Sequence, residues 1–249
     1  MDRIAPTLRP NDRTVMKQSW RHLSFLHWEV PAESLAKHLP PSLTLDTFEG
    51  RAFVGLVPFT MRDVRPVGFP SVPGLSNFHE TNVRTYVHHR GEGPGVWFFS
   101  LDAANPIAVA TARMWFGLNY QYARMSLEAG ESHGLPEFSY ASERRWPSRS
   151  GPSSRVRIRV TGPVVTAVPG TIEHFLAERY ILYTTRGDRL YSGRVHHSPY
   201  PLREAECDLV EDTLVTASGL IRQGHPTYVH YADGVDVEVF SLKSVIRSQ

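Results

Sequence analysis

The chain has 249 residues, 41% of them hydrophobic and 21% charged, with a formal net charge of +2. That length can bury a sizeable core, and the composition is that of an ordinary globular protein, which excludes disordered and fibrous classes. So small a net charge excludes a general polyanion-binding field.

Residues 1–18 are polar and punctuated by proline, which predicts a flexible N-terminal arm ahead of a single domain over 19–249. Trp20–Val30 reads as a first strand, and Pro31–Leu39 as a short helix with proline in its first turn. Leu43–Phe48 and Arg51–Met61 read as a hairpin across Glu49-Gly50. The Pro/Gly-rich loop Asp63–Ser76 is long enough to predict a functional lid.

Thr81–His89 alternates with a two-residue period. Val83, Thr85 and Val87 point one way; Glu80, Asn82, Arg84, Tyr86 and His88 point the other. Gly95–Asp102 is apolar on both faces, as a central strand should be. Asn105-Pro106 starts a helix that Gly117 closes. Strands follow at Asn119–Glu128, Pro136–Arg145, Arg155–Thr161, Tyr180–Thr185, Leu190–His197, Tyr228–His230 and Val235–Leu242. A polar loop is expected at Ser148–Ser154, and helices at Ile172–Glu178 and Asp212–Leu220. About ten strands with a few short helices and no sustained βαβ alternation predict a mainly β fold, a large, mostly antiparallel barrel or sandwich.

Ala103–Ala123 is weakly charged but contains Asn105, Pro106, Arg113, Asn119 and Gln121, which excludes a membrane span there. The N-terminus carries neither a signal-peptide core nor a lipidation motif, so a cytoplasmic location is expected. Cys207, the sole cysteine, excludes a disulfide framework and a cysteine-based zinc site. Its acidic neighbours Glu206 and Asp208 argue against a thiolate nucleophile. The twelve histidines show no metal-binding spacing, and no phosphate loop, dinucleotide fingerprint or serine elbow occurs, so neither a metal nor a cofactor is expected.

On pattern alone, the polar face Glu80-Asn82-Arg84-Tyr86-His88 is most simply a solvent face; the alternative is a barrel interior, where convergent polar groups orient a ligand. Arg113 favours the second. It is the only charged residue between Asp102 and Arg124 and sits in a segment suited to burial, where a guanidinium must snorkel, pair with a carboxylate such as Glu80, or face a cavity. Tyr120 and Tyr122 follow the same helix, and His197 lies in His-Ser-Pro-Tyr-Pro-Leu202. Arg144, Arg145, Arg149, Arg155, Arg157 and Arg159 form one basic cluster, read as a solvated strand face; nucleic-acid binding is the weaker alternative, since Trp146 is the only interleaved aromatic.

The stretches Phe78-His-Glu-Thr-Asn-Val-Arg-Thr-Tyr-Val87, Phe99-Ser-Leu-Asp-Ala-Ala-Asn105 and Ala112-Arg-Met-Trp-Phe-Gly-Leu-Asn-Tyr120 resemble an uncharacterised bacterial family, the YqjF-like family or domain of unknown function 2071. The resemblance runs from about Trp20 to Leu242, with Ala177–Tyr183 and His197–Leu202 as later matches and a departure at Asn119, where a proline is expected. That family is in turn similar to the acetoacetate decarboxylase superfamily, a large β barrel around a small-acid pocket. Phe78-His79-Glu80 resembles its aromatic-Asn-Glu element and places Glu80 on the active-site acid. Arg113–Gln121 aligns without a gap with its Arg-Glu-x-x-Gly-Phe-Pro-Lys-Lys element, so the Schiff-base lysine falls on Tyr120 and its neighbour on Gln121.

A tyrosine cannot form an imine, and the only lysines, Lys17, Lys37 and Lys243, lie outside the matching region. The resemblance therefore implies a retained fold and pocket without decarboxylase chemistry. The expected activity is binding, and as an enzyme lyase- or hydratase-like turnover, of a small organic acid. Glu80, Arg113 and Tyr120 are the candidate catalytic residues, with Asn82, Arg84, Tyr86, Asn119 and His197 around the ligand. A non-catalytic binding or sensing module is the alternative, and the sequence leaves assembly into a homo-oligomer open.

Overall fold

Runs of β-branched and aromatic residues form strands because such side chains pack well on a pleated surface. In the computed structural model these are β1 (Thr14–Val30), β2 (Thr44–Leu45), β3 (Ala52–Pro66), β4 (Phe78–His89), β5 (Glu92–Ala103), β6 (Tyr120–Ser132) and β7 (Leu135–Trp146). They continue with β8 (Ser153–Val160), β9 (Val165–Thr166), β10 (Ile181–Arg186), β11 (Arg189–His196), β12 (Pro201–Asp212), β13 (Tyr228–Phe240) and β14 (Lys243–Ser244). The helices are α1 (Ala32–Ala36), α2 (Pro106–Phe116), α3 (Ile172–Ala177) and α4 (Leu214–Ala217). Residues 1–146 and 151–245 are described, apart from the side chains of Trp115 and Phe116.

All of these strands belong to one sheet, in the order β14-β11-β10-β5-β6-β7-β8-β12-β13-β1-β3-β4-β2, with β9 beside β12. Two further pairings, β4 with β5 and β11 with β13, fold that path back on itself. One closed circuit results through β5, β10, β11, β13, β1, β3 and β4. A second runs from β5 through β6, β7, β8 and β12 to the same shared wall. The mainly β expectation holds, as two circuits with a common wall rather than one clean barrel. Pairing is antiparallel except at β5, which runs parallel to β6 and β10.

Several local expectations change. β1 begins at Thr14, so residues 14–18 are strand rather than arm: Thr14 pairs with Phe240 and Met16 with Val239. Nor is the preceding segment free, since Arg9 donates to Glu238 at 2.6 Å and Arg3 to Asp46 at 2.7 Å. The hairpin across Glu49-Gly50 reduces to a single Phe48–Arg51 bridge; β2 pairs instead with β4. β12 has no counterpart among the expected strands, because its alternating Glu204, Glu206 and Asp208 give it little apolar content. The helix expected from Asp212 shrinks to α4, with Asp212 accepting from the amides of Leu214 and Val215. The loop expected over Ser148–Ser154 lies partly outside the described residues.

α2 forms as its ends dictate. The Asn105 side chain accepts from the amides of Ile107 and Ala108, both at 3.0 Å. Gly117 ends the helix at φ 62° in the left-handed region.

Circuit closure depends on β10 approaching β5 closely. A Cβ on Gly95 would lie 2.5 Å from the Ile181 carbonyl oxygen, whereas one on Gly130 would meet nothing within 4 Å. Gly95→Ala is therefore expected to lower unfolding free energy by about 1–3 kcal/mol, the usual cost of overpacking. Gly130→Ala should stay within about 0.5 kcal/mol. Urea denaturation of the two variants checks this.

Candidate functional site

The first circuit encloses a cavity of about 400 Å³, within the range of small-molecule sites. Its walls are laid down by alternation along paired strands. β4 contributes Phe78, Glu80, Asn82 and Arg84; β3 contributes Val57, Phe59 and Met61 from across the ladder. Registers fix the axis. Met16 pairs with Pro66 and Met61 with Phe78 at one end, while Gly55 pairs with Arg84 toward the other. Pro66, Val72, Leu75 and Ile107 are exposed, marking the mouth, and Phe25, Val57 and Arg84 are buried, marking the floor. The solvent-face reading of β4 is thus overturned: Glu80, Asn82 and Arg84 are 2%, 4% and 8% exposed and face the enclosed space.

The loop between β3 and β4, predicted as a lid, borders the mouth through Val72, Leu75 and Ser76. The Asn105 amide ties it to α2 by donating to the Leu75 carbonyl at 2.8 Å.

At the middle level, the Tyr120 hydroxyl donates to Glu80 Oε2 at 2.8 Å, and Glu80 Oε1 has no protein partner among the described residues. Burial pushes the Glu80 carboxyl up to about 8; the Tyr120 hydrogen bond opposes this and the charge of Asp102 adds to it. Burial and the neighbouring Glu80 likewise raise the Tyr120 phenol well above its usual range. Burial thus favours the neutral form of both groups, with the Tyr120 proton given to Glu80. Asp102 is held by Arg144, whose Nη2 donates to it at 2.7 Å.

At the floor, Arg84 Nη2 donates to the Leu176 carbonyl at 3.0 Å, and its guanidinium lies 5.5 Å from the Phe25 ring. Among the described residues no carboxylate pairs with it, and its buried Nε has no partner. One level up, Asn82 Oδ1 is also buried without a partner. Arg179, which the sequence reading did not single out, is a second guanidinium on the cavity wall. It donates to the Phe175 carbonyl at 2.7 Å and to Asp46 at 2.9 Å, while its Nη2 is unpartnered. Burial holds Arg179 down at about 10 despite Asp46. Arg3 shares Asp46, so the trio Arg3, Asp46 and Arg179 carries a net positive charge beside Arg84. The adjoining Glu178-Arg179-Tyr180 was the signal available in sequence: charge directly after a short helix, inside a quoted family stretch.

Tyr86 is buried behind the floor rather than in it. Its hydroxyl lies 2.7 Å from the Leu176 carbonyl, which can only accept, and 2.6 Å from His27 Nε2. The tyrosine proton therefore goes to Leu176, and His27 donates from Nε2 as a neutral ring. His27 is held well below its ordinary range by burial and by the Arg84 charge. His197 is buried, stacks on Tyr180 at 4.4 Å and packs at a tilt against Tyr200 at 4.5 Å, both of which line the cavity. Burial pulls His197 down to about 4, and its Nε2 has no partner. It supports the wall and does not line it.

Two further expected site residues, besides Tyr86 and His197, lie away from the cavity lining. Arg113 is exposed on the outer side of α2, where it donates to the Tyr120 carbonyl at 2.6 Å and lies 4.9 Å from the Trp146 ring. It does not meet Glu80. Asn119 is exposed too, donating to the Phe99 carbonyl at 2.9 Å and accepting from Gln121 at 2.7 Å. A carbonyl and an aromatic face satisfy the isolated guanidinium of α2, so it needs no carboxylate.

The basic cluster is cross-paired. Arg155 meets Glu211 at 3.6 Å, and Arg159 meets Asp208 at 2.7 Å and Glu206 at 3.7 Å, because β8 lies beside β12. Arg145 meets Glu143 at 2.8 Å. Arg149 lies outside the described residues. Acidic residues on β12 thus offset part of the charge on this face. No helix among the described residues is long and apolar enough to cross a membrane, and none of them form a group of three or more His, Cys, Asp or Glu suited to a metal.

Known proteins match in both sequence and fold. The chain is 35% identical over 234 residues to the uncharacterized protein YqjF of Bacillus subtilis, covering 94% of each. Its fold is similar to the enduracididine biosynthesis enzyme MppR, solved in complex with pyruvate (TM-score 0.62, 13% identity, 97% of this chain and 93% of that one). It is also similar to an acetoacetate decarboxylase-like enzyme from Sphingomonas wittichii (TM-score 0.65, 10% identity, 94% of each chain). The acetoacetate decarboxylase of Legionella pneumophila matches at TM-score 0.62 and 13% identity over 97% of this chain and 91% of that one. The profile of domain of unknown function 2071, described as an uncharacterized conserved protein, matches residues 17–236. With that span and the YqjF identity, the chain belongs to the family of domain of unknown function 2071.

Proposed function

We propose that the cavity binds a small organic acid, and that the Glu80–Tyr120 pair acts on it by proton transfer without a Schiff base. The observation that carries this reading is Arg84, a buried guanidinium on the cavity floor with no carboxylate partner among the described residues. An uncompensated buried cation is costly, and a ligand carboxylate with bidentate geometry is the group that relieves it. Arg84 takes the role that the sequence reading assigned to Arg113. The unpartnered Asn82 Oδ1, one level up, is an acceptor and suits a donor group further along the ligand rather than its carboxylate.

Tyr120 occupies the place where the resemblance puts the Schiff-base lysine, and Lys17, Lys37 and Lys243 are all exposed, away from the cavity. The available chemistry is donation from a neutral carboxyl and a neutral phenol to an oxygen that gains charge, as in enolisation, hydration or elimination next to a carbonyl. A buried acid held neutral at a stability cost is dispensable for plain binding, which favours an enzyme over a sensing module. Pyruvate in the MppR complex supports an oxo acid as the ligand class.

Glu80 makes the stability of the protein pH-dependent. Its folded value, about 8, lies above its ordinary 4.5, so between these values the folded state holds a proton that the unfolded state releases. This contribution destabilises progressively as pH rises through that window. Glu80→Gln removes it. Relative to wild type, the variant should gain on the order of a few kcal/mol between pH 5 and pH 8. Parallel melting curves that keep a constant offset across that range would contradict the neutral-acid assignment.

Thermal melting against a panel of carboxylic and 2-oxo acids tests the binding site. An acid at one hundred times its Kd should add about 2.7 kcal/mol of stability to wild type and nothing to a folded Arg84→Gln variant, while Arg113→Ala should respond like wild type. A response kept by Arg84→Gln and lost by Arg113→Ala would return the site to Arg113. A wild type that responds to no acid would end the acid reading altogether.

A further inference from the structure

The polar groups of the cavity form a ladder rather than a cluster. Arg84, Asn82 and Glu80 sit at successive same-face positions of β4. At about 3.3 Å per residue, the four-residue step from Arg84 to Glu80 spans about 13 Å of strand. The Arg84 side chain does not close this gap. Its guanidinium lies between the Phe25 ring, at 5.5 Å, and the Tyr86 ring, at 5.7 Å, and its bond to the Leu176 carbonyl holds it at the floor. A three- or four-carbon acid seated on Arg84 would therefore leave the Glu80–Tyr120 pair untouched.

The walls that β1 and β3 add beside this ladder are mostly apolar, with Gln18, held between Trp20 and Met16, as the polar interruption near the mouth. Phe25, Leu23, Trp20 and Met16 rise along β1 from floor to mouth, and Val57, Phe59 and Met61 do so along β3. The rim continues this character with Val72, Leu75 and Ile107, which remain exposed. One side of the cavity thus offers spaced hydrogen-bonding groups and the other an apolar track from Phe25 up to Trp20, broken only nearer the mouth by Gln18, which is the shape of an extended amphipathic ligand.

Building on the organic-acid reading above, we infer that the ligand is a medium-chain carboxylic acid, with its carboxylate at Arg84 and its chain laid along β1 and β3 up to the level of Glu80 and Tyr120. With C–C bonds of about 1.5 Å, an extended chain gains about 1.3 Å per carbon, so roughly six to ten carbons bridge the two levels. The proton donors then face an oxygen toward the far part of the chain, not the carbon next to the carboxylate. This geometry separates the site from one built for a short oxo acid.

The test is a chain-length series on the intact protein by titration calorimetry: acetate, butanoate, hexanoate, octanoate and decanoate, with pyruvate and 1-octanol as controls. Affinity should rise about fourfold per added methylene from butanoate to decanoate, the increment for burying one CH₂. Octanoate should bind at least tenfold tighter than 1-octanol, and a folded Arg84→Gln should lose that preference. If acetate or pyruvate bind through Arg84 as tightly as decanoate, the chain-length inference is overturned and the organic-acid reading stands. If octanol matches octanoate, or no acid binds, both fall. Because the octanoate–octanol comparison is made on wild type, it decides the question even if Arg84→Gln does not fold.

Discussion

The site depends on one interaction between a helix end and two cations. α3 is only six residues long, yet its last carbonyls are aimed at the cavity floor: Leu176 accepts from Arg84 and Tyr86, and Phe175 accepts from Arg179. Carbonyls at a helix C-terminus carry partial negative charge and lack intrahelical donors, so they hold buried guanidinium groups without neutralising them. Asp46 neutralises only part of the remaining charge, because Arg3 competes for it. The floor is thereby left with positive charge and unpartnered donors in an apolar surround.

One level up, the opposite solution appears. Glu80 and Tyr120 are buried with no cation in contact, and the cheapest state for both is neutral. One strand therefore presents a buried cation at one end and a carboxyl biased towards its neutral form in the middle, set by their surroundings. Asp102, held by Arg144, stands behind this level, and its negative charge adds to the bias against ionised Glu80. The imine chemistry of the decarboxylases needs a desolvated amine where this chain has a phenol. The fold is shared with those enzymes and the reacting group is not.

Much of the architecture was legible in the sequence because it is local. The alternation over Thr81–His89 placed Glu80, Asn82 and Arg84 on a common face, and the Asn105 cap and Gly117 terminus bounded α2 to within a residue. β12 escaped because its alternate positions are acidic and its ladder partners are β13 and β8, the latter some fifty residues away in the chain. Arg113 misled for a related reason. An isolated guanidinium in an apolar helix demands a partner, but sequence does not say that the demand is met on the outer face by a backbone carbonyl and Trp146.

By itself, then, the sequence determined the β-rich class, the composition of each strand face, and the absence of a lysine at the position aligned with the Schiff base. Only the tertiary structure decided which face of β4 is enclosed, since that follows from the long-range pairings of β5 with β10 and β11 with β13 that close the circuit. The same closure brings Arg179 and the end of α3 beside Arg84, more than ninety residues away in the chain. Periodicity records that a strand has two unlike faces. Which of them meets water is set by partners that local sequence does not contain.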